Sequence, residues 1–262
     1  MKIGIIGLGF VGQAIKNAYG FTDVDMTLID PAKGYNANFT DMLEVDAVFV
    51  AVPSPQGDDG SCDTSILESI LDKLKEVGYN NTIISKVTAP PRVYDELIKK
   101  YPNLVHAPEF LTANNANEDY INGTFSIIGG ADYYTKQAYD VIKIGQPKIN
   151  NTMFCNIGEA SLAKYTINCW LATKVIFMNE IDNMCSTLGY DYNTVRKSIV
   201  MDNRIGNSHT QVPGPDGEHG FGGYCFPKDT SALLKFAETI NVNLSVLQAA
   251  VYKNKQIKKL GK

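Results

Sequence analysis

The segment around Cys225 has the composition expected of a reactive thiol site. Residues 220–225 read GFGGYC, and glycines without side chains would let another molecule approach the backbone beside the cysteine. Asp229 reads as the N-cap of a helix with an apolar face, which places Cys225 just before a helix N-terminus and close to Lys228. Both features favour the thiolate, the nucleophilic form of cysteine. The pattern predicts covalent chemistry at Cys225, against the alternative of a small, inert thiol.

Lys164 and Asn168 form a second set of candidate catalytic residues. They are four residues apart in a helical pattern that runs from 157 to 188, so they share one helix face. In a functional site they would supply a cation and an amide donor that stabilise a developing oxyanion. On this largely apolar helix both side chains could instead face solvent, and the helix alone does not decide between the two.

The chain begins with the pattern of a dinucleotide-binding site. Residues 7–12 read GLGFVG, follow a predicted strand, open a predicted helix and precede a second strand that ends in Asp30. The glycines would let the backbone approach a pyrophosphate at the helix N-terminus. Asp30 would accept hydrogen bonds from the ribose hydroxyls and repel a 2′-phosphate, which favours NAD over NADP. The alternative is a tight glycine turn without a ligand.

The elements that must position these motifs fall into two domains. Short apolar strands alternate with helices in the first half, which predicts an α/β domain with a parallel sheet and helices on both faces. The second half is helical, so we expect domains over residues 1–153 and 154–262. The predicted strands are 3–6, 26–29, 47–52, 82–87, 104–106 and 126–128, and the predicted helices are 12–18, 65–77, 92–100, 157–188, 191–200, 229–240 and 244–259.

Composition argues against several classes of protein. The chain has 262 residues, of which 44% are hydrophobic and 20% charged, as in an ordinary globular protein. A formal net charge of −4 argues against nucleic acid and against an anionic membrane surface as partners. No apolar stretch is long enough to span a bilayer, and glycines interrupt the apolar start that could pass for a signal peptide. We expect a cytoplasmic protein.

The cysteines and histidines do not predict a metal site. The five cysteines are scattered, odd in number and without a CxxC pair, which argues against disulfides or zinc and fits a reducing cytoplasm. His209 and His219, with Asp216 and Glu218 nearby, could hold a metal, but a solvated loop is the favoured interpretation. We expect four of the cysteines to be structural: Cys62, Cys155, Cys169 and Cys185.

Together these segments resemble the family of UDP-glucose and GDP-mannose dehydrogenases. The resemblance covers nearly the whole chain in order, and GFGGYCFPKD at residues 220–229 is its most specific part. RIGN at 204–207 fits the UDP-glucose branch better than the GDP-mannose branch. The other matching stretches are GLGFVG (7–12), VPSP (52–55), KVTAP (86–90), PEFL (108–111) and the helix with Lys164 and Asn168, which ends in NE (179–180).

The resemblance implies a Rossmann-like parallel-sheet domain, an all-helical dimerisation domain and an NAD-dependent dehydrogenase of nucleotide sugars. One active site would oxidise the C6 alcohol of the sugar twice and consume two NAD⁺. Cys225 would attack the aldehyde formed first to give a thiohemiacetal. The second hydride transfer would leave a thioester, from which water would release the carboxylate.

The resemblance also assigns roles to individual residues. Lys164 and Asn168 would stabilise the alkoxide and the tetrahedral oxyanion, and Asp229, with Glu109 or Thr88 through a water, would handle protons. Cofactor contacts would come from Gly7, Gly9, Phe10, Val11, Gly12, Asp30, Lys33, Val52, Ser54, Thr88 and Lys228. Substrate contacts would come from Phe110, Leu111, Phe221, Gly222 and Arg204, the last reaching in from the second subunit of a homodimer.

Each of these roles has a simpler alternative. Asp229 could only cap its helix, Glu109 could be a surface loop acid, and Thr88 could be a hydroxyl at a strand end. Two other functions also fit the sequence. A β-hydroxyacid dehydrogenase relative would pair the same kinds of domain and a Lys-x-x-x-Asn helix with a single hydride transfer and no thiol. A non-catalytic protein would bind NAD without a nucleotide sugar.

The chain departs from the family pattern in several places. Ala113 stands where the family usually has a second glutamate, and residues 123–125 replace the usual Pro-x-Arg. The loop between Arg204 and Gly220 is longer than in the commoner members, which leaves the identity of the sugar open. The family's third domain, which binds much of the nucleotide, is not visible. We expect a minimal enzyme, a fragment, or a protein completed by another chain.

Overall fold

The computed structural model describes residues 1–112 and 114–260. Ala113, which the family resemblance singles out, lies outside the described residues. The chain groups into two units, Met1–Gly57 with Cys62–Lys164, and Asp58–Ser61 with the residues from Tyr165 onward. The domain boundary expected after residue 153 stays a prediction.

A single sheet runs through the first unit. Its strands, within the described residues, are β1 (Lys2–Ile6), β2 (Asp25–Asp30), β3 (Tyr35–Asn36), β4 (Ala47–Val50), β5 (Thr82–Ser85), β6 (Leu104–His106), β7 (Phe125–Gly129) and β8 (Asn151–Cys155). Their spatial order is β3-β2-β1-β4-β5-β6-β7-β8. The strands are parallel to their neighbours except β2 with β3 and β6 with β7. The chain therefore has the mostly parallel sheet that its strand–helix alternation predicts.

Helices cover both faces of this sheet. They are α1 (Phe10–Tyr19), α2 (Ser65–Glu76), α3 (Pro91–Lys100), α4 (Ala116–Asn122) and α5 (Asp132–Gly145). Because successive strand residues point to opposite faces, Ile5 joins a core with α1, α4 and α5, while Ile6 joins a second core with α2 and α3. The predicted α/β class is confirmed.

Several sequence-based boundaries were wrong. β4 and β5 end at Val50 and Ser85, two residues before the predicted ends, and only Ala51 and Lys86 directly after them donate one further bond each to the neighbouring strand. β3, β8, α4 and α5 were not predicted. β8 is defined by its pairing with β7, and Met153 and Phe154 on it are exposed rather than part of a core.

The second half of the chain is helical, as expected. α6 (Ile157–Leu188) follows the predicted bounds and ends before Gly189, which has a φ of +72°. It is followed by α7 (Tyr192–Ile199), α8 (Cys225–Thr239) and α9 (Ser245–Leu260). Asp191 caps α7 by accepting from the N–H groups of Asn193 and Thr194, which confirms that predicted cap. No helix in the described part of the chain is long and apolar enough to cross a membrane.

His106 is a buried titratable group on β6, an interior strand of the sheet. Its ring stacks on Tyr94 with 4.2 Å between centroids, and its Nδ1 lies 3.2 Å from the carbonyl oxygen of Ser85. Its Nε2 has no hydrogen-bond partner among the described residues. Burial lowers the pKa of this imidazole from 6.5 to about 3, with a smaller effect from Lys86. The fold therefore holds His106 neutral.

We expect His106 to make the fold sensitive to acid. Between pH 6.5 and 3 the unfolded chain binds a proton that the folded chain excludes, so stability is lost as the pH falls through this window. This loss amounts to about 1.4 kcal/mol for each pH unit. His106→Phe can keep the stack on Tyr94, and Ser85 keeps the N–H of Ala107 as a donor. Urea unfolding between pH 7 and 4 should show a shallower decline for this variant, and parallel declines would contradict the assignment.

Candidate active site

The glycine turn between β1 and α1 is shaped by packing at two of its three motif positions. Gly7 has a φ of +86°, and a Cβ there would lie 2.7 Å from the carbonyl oxygen of Ala51. A Cβ on Gly12 would lie 1.9 Å from the carbonyl oxygen of Gly7. Side chains at both positions would collide with backbone, so the protein's own structure requires these two glycines.

Gly9 is different, because nothing in the protein requires it to be glycine. Its φ is −60°, which any residue adopts, and apart from its neighbours in the chain no atom of the described residues lies within 4 Å of the position of a Cβ. The space over Gly9 is open at the start of α1, where the first backbone N–H groups of the helix lack helical partners. Such a space is a cradle for an anion, and the turn therefore fits a dinucleotide pyrophosphate.

Asp30 and Lys33 both bond to the backbone of this turn. Asp30 Oδ2 accepts from the N–H of Leu8 at 2.7 Å, and Lys33 donates to the carbonyl oxygen of Leu8. Asp30 ends β2 beside the turn, and its carboxylate has a second oxygen with which to accept from ribose hydroxyls. The position fits the NAD preference that the sequence predicts.

Other predicted cofactor residues lie at the same edge of the sheet. Val52 and Ser54 follow β4, and Thr88 follows β5, so all three lie beyond the carboxyl ends of parallel strands. Ser54 Oγ donates to the carbonyl oxygen of Thr88 at 2.9 Å. Phe10 is the first residue of α1 and is followed by Val11, which places both on its first turn.

Glu109 and Lys164 form a buried ion pair in the first unit. Their side chains are 7% and 4% exposed, with Lys164 Nζ 3.1 Å from Glu109 Oε1. Lys164 also donates to the carbonyl oxygen of Glu109, and Glu109 Oε2 accepts from the N–H of Leu111 at 2.7 Å. Lys164 Nζ lies 5.1 Å from the ring centre of Phe110. The alternatives of a surface acid at Glu109 and a solvent-facing Lys164 are therefore wrong.

Lys86 belongs to the same cluster and was missed as a candidate. It is buried directly after β5 and borders a cavity of about 80 Å³ together with Glu109, Phe110 and Leu111. Burial lowers the pKa of Lys86 to about 8, an effect that Glu109 opposes and Lys164 reinforces. The available sequence signal was a lysine directly after a short strand with Ile83 and Ile84 at its centre.

Asp229 is held by two donors in the second unit. Its residue exposure is 1%, Oδ2 accepts from Asn168 Nδ2 at 2.6 Å, and Oδ1 accepts from Lys228 Nζ at 2.5 Å. The expected N-cap at Asp229 is wrong, because α8 begins at Cys225 and Asp229 is its fifth residue. Asn168 is likewise buried rather than solvent-facing.

Cys225 is the first residue of α8 and is half-buried. It was expected just before the helix, and starting the helix instead leaves it at the N-terminal turn that favours a thiolate. Cys169, by contrast, is buried, and burial raises the pKa of its thiol to about 12. Of these two cysteines, only Cys225 lies in a position that suits a nucleophile.

Two helices hold the glycine segment that precedes Cys225. Asn254 of α9 accepts from the N–H of Phe221 at 2.8 Å and donates to its carbonyl oxygen at 3.0 Å. Asn179 of α6 accepts from the N–H of Gly220 at 3.0 Å. A Cβ on Gly220 would lie 2.4 Å from Asn254 Oδ1. The sequence analysis missed Asn254, because nothing near it in the chain marks a partner 33 residues away.

The remaining predicted substrate residues differ in exposure. Phe221 is buried, while the nearest atom to a Cβ on Gly222 would be Lys258 Nζ at 3.8 Å. The side chain of Arg204 is 89% exposed and forms an ion pair with Asp202 at 2.6 Å. His209 was expected in a solvated loop, but its ring packs against Phe226 with 5.5 Å between centroids.

A glycine turn of this geometry at the carboxyl edge of a parallel sheet, with an acid ending β2, defines a dinucleotide-binding protein. Family comparison narrows the class. Residues 33–144 match the UDP-glucose/GDP-mannose dehydrogenase family, NAD binding domain, and residues 158–256 match the central domain of the same family. The chain belongs to the UDP-glucose/GDP-mannose dehydrogenase family, and its cofactor is NAD.

Individual relatives agree with this placement. UDP-glucose 6-dehydrogenase of Rickettsia bellii is 32% identical over 227 residues, which cover 82% of this chain and 50% of the relative. The enzyme of the same name from Pseudomonas aeruginosa is 32% identical over 236 residues, 84% of this chain and 50% of its own. The chain thus spans about half the length of these curated relatives.

Solved structures share the fold. A UDP-glucose dehydrogenase from Pyrobaculum islandicum has a TM-score of 0.81 at 24% identity, over 97% of this chain and 68% of its own. A 3-hydroxyisobutyrate dehydrogenase from Mycobacterium tuberculosis has a TM-score of 0.77 at 16% identity, over 95% of this chain and 91% of its own. At these identities the likeness concerns the fold.

The two kinds of glycine in the turn should respond differently to substitution. Gly9→Ala adds a methyl group to open space, so thermal stability should hold while the Kd for NAD rises, because the methyl group occupies the phosphate cradle. Gly12→Ala, the matched variant, should destabilise the fold by several kcal/mol through collision with backbone. Calorimetry with NAD and thermal melts separate the two. An unchanged Kd for NAD in Gly9→Ala would contradict the assignment of this turn to the cofactor site.

Proposed function

We propose that this chain carries the catalytic residues of an NAD-dependent UDP-sugar 6-dehydrogenase. The reaction is of the type UDP-glucose to UDP-glucuronate, through two hydride transfers at a Cys225 thiohemiacetal and thioester. The observation that carries the proposal is the face of α8 on which Cys225 and Asp229 lie four residues apart. A nucleophile at a helix N-terminus and a buried acid bonded to an amide donor suit aldehyde capture.

The overall stoichiometry follows from the oxidation states. One CH₂OH, two NAD⁺ and one water give one carboxylate, two NADH and three protons. Bound NAD⁺ accepts a hydride in each oxidation. Between them the Cys225 sulfur bonds to the aldehyde carbon, so the carbon still carries a hydrogen for the second transfer. Water then adds to the thioester carbon, and the sulfur leaves as thiolate.

Charged and amide groups support these steps. We assign stabilisation of the alkoxide and the tetrahedral oxyanion to Lys164 and Asn168, whose amide is already oriented by Asp229. Asp229 and Glu109 would take up and return protons, with Thr88 as an alternative partner through a water. Glu109→Gln keeps one oxygen that can accept from Lys164 and loses the base, but it also leaves the Lys164 ammonium without its counter-charge, so its thermal stability is measured beside its activity.

We further propose that the functional form is a homodimer built on α6. Trp170, Phe177 and Met184 are seven residues apart and form one exposed apolar stripe along α6, with Trp170 62% exposed. A stripe of this kind marks an interaction surface. The proposed substrate arginine, Arg204, would then serve the site of the second subunit, which its exposed side chain allows.

A single-step β-hydroxyacid dehydrogenase is the second candidate. Its support is the fold likeness to 3-hydroxyisobutyrate dehydrogenase along 91% of that chain. That reaction transfers one hydride and uses no thiol, so it leaves Cys225 without a task. The two candidates therefore differ in NADH stoichiometry and in dependence on Cys225.

The stoichiometry of NADH decides between them. With UDP-glucose and excess NAD⁺ we expect two NADH for each sugar oxidised. Cys225→Ser should form no carboxylate, because the serine hydroxyl is not ionised near neutral pH and does not attack the aldehyde as a thiolate does. Cys155 is a half-buried cysteine on β8, so the control variant Cys155→Ser should behave as wild type.

Two other outcomes would each identify a different protein. One NADH per substrate, unchanged in Cys225→Ser, would support the β-hydroxyacid reaction. NAD binding with no turnover of any nucleotide sugar would support a non-catalytic NAD-binding protein.

A further inference from the structure

Lys174 of α6 directs its ammonium into a ring of backbone carbonyls. The residue is buried, and Nζ donates to the carbonyl oxygens of Ile205 at 2.9 Å, Gly206 at 3.1 Å and Ser208 at 2.6 Å. A lysine ammonium has three N–H donors, so this set uses them all. No carboxylate takes part in these bonds, and the charge is held by peptide dipoles.

The loop at 205–208 takes its shape around this cation. Carbonyl oxygens on neighbouring peptides repel one another when they converge, so a group of positive charge at the centre favours this backbone conformation. Gly206 permits it with a φ of +67°. Burial lowers the pKa of Lys174, which agrees with an ammonium removed from water. Because the loop lacks regular structure, these bonds replace the ladder that would otherwise fix it.

Helix α7 holds the far side of the same loop. Arg196 donates to Thr210 Oγ1 at 3.0 Å and to Asn207 Oδ1 at 2.8 Å. Tyr192 donates to the carbonyl oxygen of Thr210 at 2.6 Å. Arg204 lies at the open end of this loop, and the structure shows its side chain bonded to Asp202 within its own turn. The backbone position of Arg204 therefore depends on the residue that follows it, which Lys174 fixes.

We propose that Lys174 is a positioning residue, a built-in cation whose carbonyl ring sets the 205–208 loop and thereby the place of Arg204. The expected effect of Lys174 on substrate binding rests on the proposed function, in which Arg204 contacts the nucleotide sugar. The expected effect of Lys174 on the conformation of the 205–208 loop is independent of that function. Lys174→Ala removes the three methylenes and the ammonium beyond Cβ. The space left beside the three carbonyl oxygens then has the size of a propylammonium ion.

Cleavage by an arginine-specific protease tests the loop without any activity assay. The chain has three arginines, and Arg92 and Arg196 lie within α3 and α7. Lys174→Ala should be cut after Arg204 about tenfold faster than wild type or more, because the opened loop is then more populated. Cutting after Arg92 should stay at the wild-type rate, which separates local opening from unfolding. Lys255→Ala, an exposed lysine of α9, is the matched control.

Chemical rescue makes the test specific for the ammonium. Propylammonium should slow cleavage after Arg204 in Lys174→Ala, while tetramethylammonium, which has no N–H donor, should not. Lys174→Met keeps the aliphatic stem and should be cut as fast as Lys174→Ala. Wild-type cleavage in both variants, or equal effects of the two amines, would overturn the proposal. If Lys174→Ala does not fold, the rate of cleavage after Arg204 in Lys174→Met decides whether Lys174 positions the loop.

Turnover separates this proposal from the proposed function. If UDP-glucose is oxidised, Lys174→Met should raise its KM about tenfold and leave the KM for NAD unchanged, and propylammonium should lower the raised KM of Lys174→Ala. An unchanged KM for UDP-glucose would overturn the link to Arg204. If no nucleotide sugar is oxidised, the proposed function fails, while the protease and rescue results still decide the role of Lys174.

Discussion

The desolvation of charge is the constraint on which the site depends. Lys164 and Glu109 in the first unit, and Lys228 and Asp229 in the second, have side chains less than a tenth exposed. A buried charge is costly unless it is paired and hydrogen-bonded, and both carboxylates meet that condition with two donors each. Their geometry is therefore fixed by the same bonds that make their burial tolerable.

This constraint ties the proposed chemistry to the fold. Removing one partner of either pair would leave an uncompensated buried charge, so substitutions at these positions should lower stability as well as activity. Groups held this firmly need little reorganisation when charge develops on a substrate. Cys225 differs, because it is half-buried at the start of α8 and remains accessible for bond formation.

Loops without regular structure are held by single side chains. Asn254 bonds both backbone groups of Phe221, and Lys174 bonds three carbonyls of the 205–208 loop. Asn254 both donates and accepts through its side-chain amide, whereas Lys174 donates three hydrogen bonds from a charged ammonium. In both cases a helix supplies the side chain, so rigid elements set the course of the segments around Arg204 and Cys225.

Local patterns predicted those parts of the molecule that local forces determine. The glycine turn, the acid that ends β2, α6 and the Asp191 cap depend on neighbours in the chain, and the sequence placed them correctly. β8 was missed because its pairing rather than its hydrophobicity defines it. The cap expected at Asp229 was wrong because α8 begins four residues earlier, at Cys225, and the Asp229 carboxylate bonds instead to Asn168, 61 residues away. Lys86 and Lys174 were missed for the same reason, since burial comes from distant segments.

The central claim is a covalent intermediate on Cys225, and intact-protein mass spectrometry tests it directly. The Glu109→Gln variant, mixed with UDP-glucose and excess NAD⁺, should lose the base proposed for thioester hydrolysis and accumulate the acyl adduct. The expected result is a mass increase of one UDP-sugar acyl group, located at Cys225 by peptide mapping. NADH formation with Cys225 unmodified would contradict the account.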